Sequence, residues 1–239
     1  MPDAIAPSKE DSGRDRPDGS VPCAFLSLSD ACRVWGRERP VTPTTAWNAP
    51  VTADAAKEAL ARDAYRCRFC GYRSAYNLVH HANDLHRDDH PDNLFTCDPL
   101  CHGWQHLGDM PEQFAVIAYL PGLSPADVNH LQRTLMVALH CGGEADKAAA
   151  RDVLNWAASH RDYVTPAWGS SAPAAFADAL AGQRAENREL REFAFSGLAL
   201  IYHPGAFARE AAWWAGEAYA PFPVSAWSRT AHAVMNPPV

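Results

Sequence analysis

Residues 67–106 read CRFCGYRSAYNLVHHANDLHRDDHPDNLFTCDPLCHGWQH, and two cysteine pairs, Cys67/Cys70 and Cys97/Cys101, close around a segment crowded with His, Asn and Asp. A tetrahedral Zn²⁺ site needs four soft or borderline donors, at about 2.3 Å for thiolate sulfur, and two short-spaced pairs supply them with little backbone rearrangement. One C-x2-C alone is shared with redox motifs, whereas a second pair points to metal. The spacing therefore predicts a structural Zn²⁺ on Cys67, Cys70, Cys97 and Cys101. The second pair is C-x3-C, so His102 competes with Cys101 for the fourth place; the thiolate is the softer donor and is preferred. Gly71, directly after the first pair, suits the tight turn of a zinc knuckle.

Working outward, 239 residues suit one domain with an extension, and 47% hydrophobic residues suffice for a buried core. No run approaches the roughly 18 apolar residues of a membrane span. The start, MPDAIAPSKEDSGRDRPDGS, lacks the apolar stretch of a secretory signal, so a cytoplasmic protein is expected. Thiols stay reduced there, which favours metal over disulfides, and the remaining Cys23, Cys32 and Cys141 read as small buried apolar residues. A net charge of −7 argues against a tight grip on nucleic acid, which rewards a basic face.

Residues 1–20 read as a disordered tail, with one α+β domain over 21–239 and the zinc module at about 65–108. Thr52 is placed to cap a helix through Asp63, with Leu60 and Ala64 inward and Lys57, Arg62 and Arg66 outward. NLVHH (77–81) and NLFTC (93–97) read as short strands, and Cys101–Trp104 as the opening of a helix or turn. Pro111 marks a helix start for MPEQFAVIAYL, and Ser124-Pro125-Ala126-Asp127 marks a second, with Val128, Leu131, Leu135 and Leu139 on one face and Gly142-Gly143 as its stop. Further helices are expected over 144–160, amphipathic with Leu154 and Trp156, and over 173–193. GLALIYHP (197–204) reads as a strand. The aromatic remainder, with Trp213, Trp214, Tyr219, Phe222 and Trp227, shows little regular period; it reads as wrapping the core, or else as anchors for a partner.

The order Cys67-x2-Cys70, His80-His81, Asn93, Cys97-x3-Cys101-His102 resembles the zinc-stapled HNH endonuclease module, a ββα-metal fold. The resemblance implies His81 as general base, Asn93 as the residue orienting it, and His102 as ligand of a catalytic divalent metal. Two features depart from that family. His80 stands where an Asp usually binds the metal, and imidazole is a poorer Mg²⁺ ligand than carboxylate. Asp84, Asp88, Asp89, Asp92 and Asp98 also crowd the stretch with a field that repels phosphate. His86, His90 and His106 read as solvated loop residues or neighbours of the site.

Over residues 50–140 the chain is similar to the IcmJ/DotN family of type IVB (Dot/Icm) secretion systems, through DAYRCRFCGYRSAYNLVHHANDLHRDDHPDNLFTCDPLCHGWQHLG and IAYLPGLSPADVNHLQRTLMVAL. That resemblance implies a non-enzymatic adaptor with structural zinc, peripheral to the inner membrane. Its partners would be the C-terminal tail of a VirD4-like coupling ATPase and other adaptors of the coupling complex, without nucleic acid. A metal-dependent DNA endonuclease is the rival from another class.

Overall fold

The computed structural model of the protein describes residues 51–82, 88–181 and 195–236. The expectations for residues 1–50, for Asp84 and His86, and for 182–193 lie outside them.

Helix α1 (Ala53–Arg62) leads to the first cysteine pair. Thr52 stands at its N-cap, but its side chain makes no cap bond; its amide instead donates to the Asp89 carboxylate at 3.0 Å. Ala59 is the buried residue of α1, whereas Leu60 is half-buried and Ala64, past the helix end, is exposed. Ala64 and Tyr65 both adopt left-handed backbone, with φ of 50° and 59°. For residues carrying a Cβ this conformation costs roughly 1–2 kcal/mol each. The turn is held by the Tyr65 amide on the Leu60 carbonyl and the Ser74 amide on the Tyr65 carbonyl.

Strand β1 (Leu78–His81) pairs antiparallel with β2 (Leu94–Cys97), Leu78 opposite Cys97 and His81 opposite Leu94. Helix α2 (Pro99–Gln105) follows directly. Asp98 caps it by accepting from the Leu100 amide, Pro99 occupies the first turn, and all seven residues are buried.

The helix expected over MPEQFAVIAYL is absent. A short 3-10 turn (Glu112–Phe114) runs into strand β3 (Ala115–Tyr119). β3 pairs antiparallel with the wholly buried β4 (Leu198–Tyr202), Ala115 opposite Tyr202. Val116 and Ile117 are stiff at χ1 and pack well on a pleated surface, and partner and burial override the weak helical period.

Between those strands lie α3 (Pro125–Cys141), α4 (Glu144–Ser159), α5 (Arg161–Trp168) and α6 (Pro173–Ala181). The Ser124 hydroxyl accepts from the Asp127 amide, as its position requires, and a Cβ at Gly142 would meet the Ala138 carbonyl oxygen at 2.5 Å, which explains the stop. The buried face of α3 differs from the expected one. Leu131, Leu135 and Leu139 are half-buried, while Asn129, Gln132 and Arg133 join Val128, Met136 and Val137 in the interior. On α4 Leu154 is buried, but Trp156 is 51% exposed and edges onto His160. Helix α5 had no counterpart in the sequence reading.

The aromatic C-terminal region is helical: α7 (Ala208–Gly216) and α8 (Val224–Met235). Trp214 is fully buried, whereas Trp213 stacks on the partly exposed Tyr76 at 4.7 Å between centroids. One apolar cluster runs from Cys67, Cys97 and Leu100 through Ile117, Met136 and Leu200 to Phe207 and Trp214. Glu217 ties the ends together by accepting from the Ser74 hydroxyl and the Ala75 amide. No helix among the described residues is long and apolar enough to cross a membrane.

Candidate metal centres

The knuckle places Cys67, Cys70 and Cys101 so that their sulfurs lie within 4.8 Å of one another. Gly71, at φ 71°, closes the loop by donating its amide to the Cys67 carbonyl at 2.9 Å. Cys97, at the end of β2, is wholly buried and its thiol donates to Cys67. Three of the four expected ligands, Cys67, Cys70 and Cys101, form a compact set, and Cys97 lies outside that set. Burial opposes ionisation of Cys67, but thiol donors from Cys101, Cys70 and Cys97 hold its value well below that of an ordinary thiol. Burial, and donation to Cys67, push Cys97 well above it. A divalent cation bound here would displace the thiol protons and be held by the thiolates.

Helix α3 wraps this site from outside. The Phe69 amide points at Cys67 Sγ (3.4 Å), Asn129 Nδ2 at Cys101 Sγ (3.3 Å), and Arg133 Nη2 lies 3.9 Å from Cys70 Sγ. Arg133 is fully buried, paired with the equally buried Asp98 at 3.0 Å, and sits over the Tyr72 ring at 3.7 Å. Burial pulls its value down, and the Asp98 carboxylate more than offsets this, holding it above that of an ordinary guanidinium. Arg133 can only donate, so His130 Nδ1, 2.9 Å from Nη1, must accept. His130 Nε2 then carries the hydrogen given to the Cys70 carbonyl at 3.0 Å. The chemistry of its neighbours thus assigns the His130 ring hydrogen to Nε2. A thiolate site carries excess negative charge, and these donors and the guanidinium offset it.

A second group lies farther along the hairpin, on the face that His80 shares with Phe95 and Cys97. Adjacent residues of a strand face opposite ways. His80 accordingly meets His102 and His106, at centroid distances of 5.2 and 5.1 Å, and His81 meets Asp89. His102 and His106, four apart at the end of α2, lie 4.5 Å apart by centroid. Donor nitrogens of the three histidines lie within 4.8 Å of one another, and the residues are 7%, 4% and 4% exposed. Three imidazoles suit Zn²⁺ and its neighbours in the transition series, in contrast to Mg²⁺.

The remaining expected residues fall beside this group. His81 Nε2 is 2.9 Å from Asp89 Oδ1, and this contact, with the Thr52 amide, holds Asp89 down to about 2. Asn93, buried, donates to the Asp88 carbonyl at 2.7 Å and so shapes the loop carrying Asp89. His102 is joined to His80 and His106, while His81 and Asn93 form a separate pair of contacts. Sequence reasoning missed His80 and His106 as a donor set. His106 is buried, contrary to the solvated reading, and the signal was its i,i+4 spacing from His102. Cys141, read as buried, is exposed at the end of α3 with its thiol on the Val137 carbonyl.

Both groups could hold a metal ion. No family model matches the sequence, and no curated protein matches it.

Proposed function

We propose that the chain is a non-enzymatic, zinc-stapled adaptor built on an HNH-like ββα module. In this reading it serves a type IVB secretion coupling complex, and its partner is the C-terminal tail of the coupling ATPase. The observation that carries the non-catalytic half is burial. A catalytic metal keeps a coordination position open to substrate, whereas structural sites are closed, and His80, His102 and His106 are closed in on all sides to 7% exposure or less. Asp88, Asp89 and Asp92 next to them work against a phosphodiester. The secretion half rests on the motif resemblance over residues 50–140. Zinc is assigned to Cys67, Cys70, Cys97 and Cys101 as a folding element. The test is capture of the ATPase tail by the purified chain, together with its zinc stoichiometry; a chain fully loaded with zinc that ignores the tail removes the secretion assignment.

The second reading, a metal-dependent DNA endonuclease, is favoured by one specific contact. His81, adjacent in sequence to His80 of the three-histidine donor set and held by Asp89 at 2.9 Å, is oriented as a general base is. Plasmid nicking in Mg²⁺, Mn²⁺, Ni²⁺ or Zn²⁺ that disappears in His81→Ala would establish it and displace the adaptor reading.

A further inference from the structure

Beside the cysteine site, on the side away from α3, the surface opens into a cleft of about 540 Å³. Arg62, Arg66 and Arg68 line it with Asp63 and Asp92, together with Leu94 and Phe95 of β2 and Cys67, and the Phe95 ring is the apolar surface beside Arg68. The lining charges are not equivalent. Arg62 is consumed by the fold: it pairs with Asp63 and donates to the Pro91 and Leu94 carbonyls at 2.7 and 2.6 Å. Asp63 is consumed too, by Arg62 and by the Thr96 amide at 2.8 Å. Arg66 and Arg68 are exposed, and among the described residues no ion pair joins either to a carboxylate. The Arg68 guanidinium carbon lies over the Phe95 ring, 5.1 Å from its centroid. Arg66 reaches only the Gly71 carbonyl, at 3.4 Å.

The backbone at this cleft is strained as well. The two left-handed residues, Ala64 and Tyr65, immediately precede Arg66, and Ala64 lines the cleft. Strain of this kind persists where the surroundings over-determine it and gathers at binding sites. Here it turns the chain sharply out of α1, and that turn places Arg66 and Arg68 on the same rim. In a chain of net charge −7, two unpaired guanidiniums beside the Phe95 ring mark an anion site with room for a few side chains.

We propose that this cleft receives a short acidic segment of a partner protein, two of its carboxylates held by Arg66 and Arg68 and an apolar side chain set against Phe95. The inference rests on the adaptor reading and names the chemistry of the partner. A nucleic acid is the poorer occupant. Its backbone needs a long basic track, and the cleft ends at Asp92 with Asp88 and Asp89 beyond.

The experiment uses the full, zinc-loaded chain and a fluorescein-labelled octaglutamate peptide carrying one leucine, read by anisotropy. Saturable binding that weakens with salt is expected, and Arg66→Glu/Arg68→Glu weakens it about tenfold or more, equivalent to ~1.4 kcal/mol. Arg66→Gln/Arg68→Gln serves where charge reversal disturbs the fold, and zinc content and melting temperature stay at wild-type values. Absent binding, binding indifferent to both double variants, or displacement of the peptide by a DNA duplex at lower concentration overturns the proposal. Capture of the ATPase tail that survives both double variants places that tail elsewhere and overturns the cleft while leaving the adaptor reading intact. Peptide binding without any tail capture keeps the cleft and removes the secretion assignment.

Discussion

Cys67 is the hub of the thiolate site, since it is the residue toward which Cys70, Cys97 and Cys101 all donate. Cys97 lies outside the compact set of Cys67, Cys70 and Cys101, so Cys67→Ser and Cys97→Ser separate a four-thiolate from a three-thiolate centre. Both variants are expected to lose one zinc per chain and to melt without cooperativity, because a structural zinc contributes on the order of 10 kcal/mol to the folded state alone. Zinc content and calorimetry check this, and a Cys97→Ser chain that keeps its metal reduces the set to three. Asp89 makes a different kind of prediction. Its carboxyl sits at about 2 in the folded chain, held there by His81, against about 3.9 when unfolded. A depressed carboxylate stabilises the fold above the unfolded value and loses that contribution as pH falls toward the folded one. Denaturant midpoints should therefore decline between about pH 4 and pH 2 more steeply in wild type than in Asp89→Asn. The cysteines were legible in the sequence because metal spacing is local. The histidine triad was not, because His80 and His106 become neighbours only when β1 lies against α2.

Helix α3 shows how far a periodicity argument reaches. Its start and stop were readable from Ser124, Pro125 and Gly142, which act within one turn. Its inward face was not, since the buried residues Asn129, Gln132 and Arg133 are polar, and a pattern of apolar residues cannot find them. Each is interior because it answers a specific group. The Gln132 amide donates to the Leu200 carbonyl and accepts from the Tyr202 amide, both contacts at 2.8–2.9 Å, and so completes the open edge of β4 as a neighbouring strand would. Gln132→Leu keeps the volume and leaves both backbone groups buried without partners; a loss of about 2–4 kcal/mol in urea denaturation is expected. Arg133→Met strands Asp98 and should cost about 3–5 kcal/mol by the same measurement, with Asp98→Asn/Arg133→Met recovering part of it. The strand β3 was misread for the converse reason: AVIAY has no local signal to set against a distant partner, and its pairing with β4 joins Ala115 to Tyr202, far along the chain.

At the scale of the molecule, the metal module and the helical shell share one apolar core, and the α+β class read from the sequence describes the result. The aromatic C-terminal region proved regular where the sequence suggested irregular wrapping. Its period is carried by small residues, as in AREAAWWAG, and only Ala211 and Trp214 of that helix point fully inward. Of those aromatics, Trp214 serves the core, and Phe222 stays 54% exposed.

The Glu217 contact with Ser74 and Ala75 carries a consequence for the order of events during synthesis. The cysteines leave the ribosome early, yet residues that enclose them lie on α3 and α7, and the tether at Glu217 joins positions 143 apart in the chain. Metal bound by the nascent knuckle is then held only weakly and stays exchangeable until the last quarter of the chain arrives. A chain ended after residue 207 should still take up zinc but surrender it to a chelator far faster than the full chain does. Stopped-flow release into a colorimetric chelator measures the difference, and equal rates would mean that the knuckle matures alone. Zinc retention would then serve as a clock for completed folding.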